Sequence, residues 1–132
     1  MALMSRPKGK SDLLTTVELE FMMVLWRKGQ ATVREVLDIL NEREKRAYTS
    51  VATMLKILDD KGYLQSVKQD RTFVYSPTIG KDEYERLTLN NISNTLFDGA
   101  PTALVARLVD DENISEETMK EIREIINTKF RG

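Results

Sequence analysis

Apolar residues recur along most of this chain at helical spacing, and the pattern is interrupted once by a stretch that alternates every second residue. Thr15-Thr16-Val17-Glu18 has the Thr-x-x-Glu spacing of a capping box, with Thr15 as N-cap and Glu18 reaching back to its N–H. Leu19, Met22, Met23, Leu25 and Trp26 then make an inward face that stops before Gly29. A second box, Thr32-Val33-Arg34-Glu35, opens a shorter helix with Val33, Val36, Leu37 and Leu40 inward, and Gln30-Ala31 predicts a short strand leading into it. After a charged turn, Asn41 to Arg46, a third helix is predicted from about Thr49 to Lys61. Lys61-Gly62 marks its end, a basic last turn followed by a C-cap glycine.

The period then changes from helical to two. Leu64, Ser66 and Lys68 alternate with Gln65 and Val67, and Thr72-Phe73-Val74-Tyr75 reads as a second strand closed by Pro77. Gln69-Asp70 are turn residues, so the segment predicts a hairpin. Three helices followed by a hairpin is the order of a winged helix, in which helices two and three form the helix-turn-helix. From Lys81 onward the spacing is helical again, with a stripe of Tyr84, Leu87, Asn91/Ile92 and Leu96 broken by Asp98-Gly99-Ala100-Pro101. Ala103, Leu104, Val105, Leu108 and Val109 mark a short apolar helix. Ser115-Glu116-Glu117 caps a last one carrying Met119, Ile122, Ile125, Ile126 and Phe130.

The predicted class is therefore mostly α with a small β-wing (α+β): a basic arm over 1–12, a winged helix-turn-helix over 13–78 and a helical region over 79–132. About 50 residues cannot bury all of the late stripes by themselves. Pairing with a second copy would cover them and present two recognition helices to a palindromic site. The alternative is that these helices fold back on the winged domain. The preferred reading makes Tyr84, Leu87, Ile92, Leu96, Leu104, Val105, Leu108, Met119, Ile122 and Ile126 dimerisation residues.

Composition narrows the function. Hydrophobic residues make up 41% and charged residues 31% of 132, the balance of a foldable, soluble chain. No apolar run is long enough to span a membrane, and the basic start is followed by no signal-peptide core, so a cytoplasmic protein is expected. Cysteine and histidine are both absent, which excludes disulfides and removes the usual soft metal ligands and general base. Asp59-Asp60 and Asp110-Asp111-Glu112 read better as hydrated helix ends than as a metal site. No phosphate loop or nucleophile motif appears. Neither an enzyme nor a cofactor is expected. The net charge of −1 conceals an asymmetry: residues 1–77 hold 13 Lys/Arg against 10 Asp/Glu, whereas residues 78–132 hold 7 against 11. The first part is the one suited to an anionic partner.

Helix three carries the candidate chemistry. At 100° per residue Val51, Met54, Leu55 and Leu58 fall on the core side, and Thr49, Thr53, Lys56 and Asp60 fall opposite. Hydroxyls that donate to and accept from base edges, a Thr methyl for thymine and a cation for phosphate make a DNA-reading face, with the acid kept at the far end. The same pattern fits an amphipathic surface helix. Arg43, Lys45 and Arg46 precede it beside Glu42 and Glu44, Tyr48 sits at its start, and Lys68 and Arg71 flank the hairpin tip. The near-neutral charge leaves open a winged helix that binds protein instead of DNA.

In combination these motifs resemble the penicillinase-repressor (BlaI/MecI-type) transcriptional regulators. Leu14-Thr15-x-x-Glu18-Leu19-Glu20-x-Met22 with Leu25-Trp26 looks like that family's first helix, and Ala31-Thr32-Val33-Arg34-Glu35-Val36 like its second. Ala47-Tyr48-Thr49-Ser50-Val51-x-Thr53-Met54-Leu55, then Leu58-x-x-Lys61-Gly62-Tyr63-Leu64, is similar to its recognition helix. Arg71-Thr72-Phe73-x-Tyr75-x-Pro77 resembles the wing, and Leu96 to Pro101 with Leu104-Val105 the dimerisation segment. The resemblance implies a homodimeric repressor on the double-stranded DNA of an inverted-repeat operator of a resistance or stress-response gene set. It puts Tyr48, Thr49, Ser50, Thr53 and Lys56 in the major groove and Arg71 on the wing, and Arg46 and Lys68 join them as candidate DNA contacts. It also implies induction by a membrane sensor protease system through a cut in the dimerisation region. The matching position holds Arg107-Leu108 in place of the Asn-Phe pair of the resistance repressors, a departure from the pattern. The cysteines of copper-responsive relatives are absent.

Overall fold

A computed structural model describes residues 13–131 of the chain; the basic arm over 1–12 and the Phe130 side chain lie outside the described residues. The first helix, α1 (Thr16–Lys28), starts on the predicted capping box: Thr15 accepts from the Glu18 N–H at 3.1 Å and donates its own N–H to Glu18 Oε1 at 2.9 Å. The strand β1 (Ala31–Thr32) leads into α2 (Val33–Leu40), which is closed by the same device between Thr32 and Glu35. A turn carries the chain to α3 (Tyr48–Asp60).

The end of α3 is a Schellman motif. The Tyr63 N–H donates to the Leu58 carbonyl at 2.9 Å and the Gly62 N–H to the Asp59 carbonyl at 3.0 Å. Gly62 takes φ +91°, a left-handed conformation that a side chain resists. The hairpin follows as β2 (Leu64–Gln69) and β3 (Thr72–Pro77), and β1 completes an antiparallel sheet in the order β1-β3-β2. Gln69 pairs with Thr72, so the two-residue turn is Asp70-Arg71, one residue later than the alternation suggested. Asp70, at φ +58°, supplies the positive φ such a tight turn demands.

α1 packs against α2, α3 and β3. Phe21, Met22, Val24 and Leu25 are buried and Met23 is exposed, so the inward face differs from the predicted one. A helix covered from several sides has a broad buried arc, and its weak amphipathic signal cannot rank neighbouring positions. The rest of this core is Val36, Leu37, Leu40, Val51, Leu55, Leu58, Tyr63, Leu64 and Tyr75.

Three helices follow, α4 (Lys81–Leu96), α5 (Pro101–Val109) and α6 (Glu116–Arg131). The chain divides into two compact units inside α4, the first ending at Arg86 and the second beginning at Leu87. Tyr84 ties the start of α4 to the first unit. Its ring is buried against Trp26 and Tyr63, and its hydroxyl accepts the Leu14 N–H at 2.8 Å. Tyr84 therefore belongs to the first core and is not available as a dimer contact.

Candidate nucleic-acid interface

Helix α3 is bound to the rest of its unit by its apolar side and by both ends. Val51, Leu55 and Leu58 are buried and Met54 is half-buried, which leaves Tyr48, Thr49, Ser50, Thr53, Lys56 and Asp60 on the solvent side. At its C-terminal end Lys61 donates to Glu18, the buried carboxylate of the α1 capping box. Burial alone pushes the Glu18 carboxyl up. The Lys61 hydrogen bond and charge, together with the Thr15 N–H, outweigh it and hold the group below the usual carboxylate range. One side chain thus caps α1 and anchors α3.

At the other end, the approach to α3 is set by Arg46. Its N–H donates to Asn41 Oδ1 at 2.8 Å, and its guanidinium donates to Glu20 Oε1 at 2.9 Å. The same guanidinium lies 5.5 Å from the centre of the Phe21 ring, and its side chain is only 17% exposed. The Glu20 hydrogen bond raises its pKa still further. Arg46 pins the turn onto α1, and its Nη2 group is engaged there by Glu20. Sequence spacing could not show this, because Glu20 is 26 residues away.

The start of α3 differs chemically from the starts of α1 and α2. Ala47 is its N-cap and provides no side-chain acceptor, and no acid lies in its first turn. The partial positive charge of the helix end and its unpaired N–H groups therefore remain unneutralised. Thr49 and Ser50 project there, with Thr53 one turn on. Lys56 is exposed but shares its charge with Asp60 through a 3.1 Å ion pair, which raises the lysine pKa. The result is a face of hydroxyls led by a positive helix end, with the acid at the far end.

The wing adds two exposed cations. Arg71 is in the turn itself and Lys68 is opposite Phe73 on the strand pair. Ser66 shares their side of the hairpin and donates to Asp59 of α3 at 3.0 Å, so that side of the wing abuts α3. Arg34 is a further cation that the sequence pattern does not single out. It lies in the first turn of α2 with its guanidinium 5.5 Å from the centre of the Tyr48 ring. In the sequence it is only a member of the second capping box, and a surface arginine carries no periodic signal of its neighbour.

In the second unit Leu87, Ile92, Leu104, Met119 and Ile122 are half-buried, while Val105, Leu108 and Ile126 are exposed and Leu96 is 71% exposed. Leu89 and Ile125 add further exposed apolar surface. Arg107 and Leu108 are both exposed within α5. Among the described residues no group of His, Cys, Asp or Glu is arranged to hold a metal, and no helix is long and apolar enough to cross a membrane.

Residues 14–128 match the family model described as Penicillinase repressor. The methicillin resistance regulatory protein MecI of Staphylococcus aureus (strain Mu50 / ATCC 700699) is 24% identical over 121 residues, covering 92% of this chain and 98% of that protein. The penicillinase repressor of Bacillus licheniformis is 27% identical over 117 residues, 89% of this chain and 91% of the relative. The solution structure of the DNA binding domain of the repressor BlaI superposes with a TM-score of 0.51 at 32% identity, covering 58% of this chain and 94% of that one.

Proposed function

Because this chain belongs to the penicillinase repressor family, we propose that it is a DNA-binding transcriptional repressor that acts as a homodimer on an inverted-repeat operator. The observation that carries this reading is α3, whose solvent side combines Thr49, Ser50 and Thr53 with an uncapped positive end in a unit similar to the BlaI DNA binding domain. The first turn of α3 enters the major groove, where Thr and Ser hydroxyls read base edges and the Thr53 methyl meets thymine. Arg71 and Lys68 bind the flanking backbone from the wing. The protein works in the cytoplasm.

Dimerisation rests on the second unit. Leu89, Leu96, Val105, Leu108, Ile125 and Ile126 are large apolar side chains left in solvent by one copy, and a two-fold partner is the simplest cover. Induction by a sensor protease would act on the same unit. The Arg107–Leu108 bond lies inside α5, so cleavage there requires local unfolding of that helix and would destroy part of the dimer surface.

A mobility-shift titration on genomic fragments at two salt concentrations, with sedimentation of the free protein, tests this. The expected result is selective, salt-sensitive binding by a dimer, and Thr53→Ala should lose about 1–3 kcal/mol of discrimination at one position of each half-site. A chain that stays monomeric and binds no duplex at low salt overturns the reading.

A further inference from the structure

Arg34 and Tyr48 form a side-chain pair at the corner where α2 meets the front of α3. Arg34 is the second residue of α2 and Tyr48 the first of α3, and the 5.5 Å approach of guanidinium carbon to ring centre joins the two helices of the helix-turn-helix. Both side chains are exposed, Tyr48 by 46%. A hydrophilic surface gives no reason to hold an aromatic ring in solvent at that point. A ring that steadies a cation provides one, because stacking uses the flat face of the guanidinium and leaves its edge donors free.

Among the described residues no acid lies within ion-pair distance of Arg34, whereas Arg46 is paired with Glu20 and Lys56 with Asp60. The nearest acid in sequence, Glu35, turns one carboxylate oxygen back to the Thr32 N–H. Arg34 is thus an oriented cation with no ion-pair partner among the described residues, beside the helix end that has no side-chain cap. A planar fork of donors fits the oxygens of a phosphodiester.

We propose that Arg34, held by Tyr48, is a phosphate clamp that grips the DNA backbone beside the point where α3 enters the groove. This deepens the DNA-binding reading and rests on it. The clamp sets register and affinity and leaves base choice to Thr49, Ser50 and Thr53. Tyr48 is a positioning residue: it acts through Arg34.

The test compares Arg34→Ala, Arg34→Lys, Tyr48→Ala and Tyr48→Phe with the unaltered protein on one bound duplex and one unrelated duplex across 50–200 mM salt. Each phosphate contact adds about 0.9 to the slope of log affinity against log salt, so a dimer lacking two clamps loses about 1.8. The ratio of affinities at 50 and 200 mM then shrinks about 12-fold. Arg34→Ala is expected to do this equally on both duplexes. Arg34→Lys and Tyr48→Phe, which keep the cation and the ring face, should both retain the slope. Tyr48→Ala should weaken binding, with no additional loss when Arg34→Ala is combined with it. Circular dichroism confirms that each variant is folded. Arg34→Ala with an unchanged slope, or strictly additive losses in the double variant, overturns the clamp while the repressor reading stands. If the unaltered protein shows no salt-dependent duplex binding, both readings fall.

Discussion

Replacing Glu18 by Gln removes one charge from the point at which α1 and α3 are joined. Glu18 is only 5% exposed and does two things: one carboxylate oxygen accepts the Thr15 N–H, and the other accepts from Lys61. Glutamine preserves the shape and one acceptor, so the capping half survives. The loss is confined to the charged hydrogen bond with Lys61, whose side chain is 46% exposed and therefore screened. An ion pair with one wet partner contributes about 1 kcal/mol or less, and a charge-assisted hydrogen bond at a buried acceptor brings the total to about 1–2 kcal/mol. For a unit of this size each 1 kcal/mol is about 4–8 °C in Tm. The pH dependence is more diagnostic. Folding holds Glu18 below its ordinary pKa, so its contribution is complete above about pH 4.3 and is lost as pH falls through the lowered folded value. Thermal melts of the protein and of Glu18→Gln should therefore differ by several degrees at pH 7 and converge as the pH falls below the ordinary carboxylate range. A difference that stayed constant over that range would refute an ionic origin.

Three further outcomes are expected. Arg46→Ala should cost about 1–3 kcal/mol in denaturant unfolding through loss of its bond to Glu20, yet leave the salt slope of DNA binding unchanged; a flattened slope would return Arg46 to the interface. Gly62→Ala forces a side chain into φ +91° and should destabilise the first unit by about 1–2 kcal/mol, measured by chemical denaturation. Leu96→Glu puts a charge on the most exposed apolar side chain of α4. Because a buried leucine contributes about 1.5–3 kcal/mol and a two-fold dimer uses it twice, sedimentation should show dimerisation weakened at least a hundredfold; an unaltered dimer would place the interface elsewhere.

The elements whose signals are local were legible in the amino-acid order. Both Thr-x-x-Glu boxes close as their three-residue spacing demands, since the partner of each orphan N–H lies within one helical turn. Lys61-Gly62-Tyr63 ends α3 because the cap is made by those residues themselves, and the change of period from helical to two located the hairpin. The exposed face of α3 followed from its apolar face. The remaining features depend on groups far apart in sequence. Arg46 and Arg34 are both arginines next to a helix start, and nothing in their immediate neighbours distinguishes them. One is held by Glu20 of α1, 26 residues away, and the other stands over Tyr48 with no ion-pair partner among the described residues. Tyr84 continues the α4 stripe by spacing, but it is claimed by the first core through Leu14, 70 residues away. Hydrophobic periodicity records which side of a helix avoids water. Which surface it meets there, and which charges are left over, is set by packing between elements that the chain brings together only once it has folded.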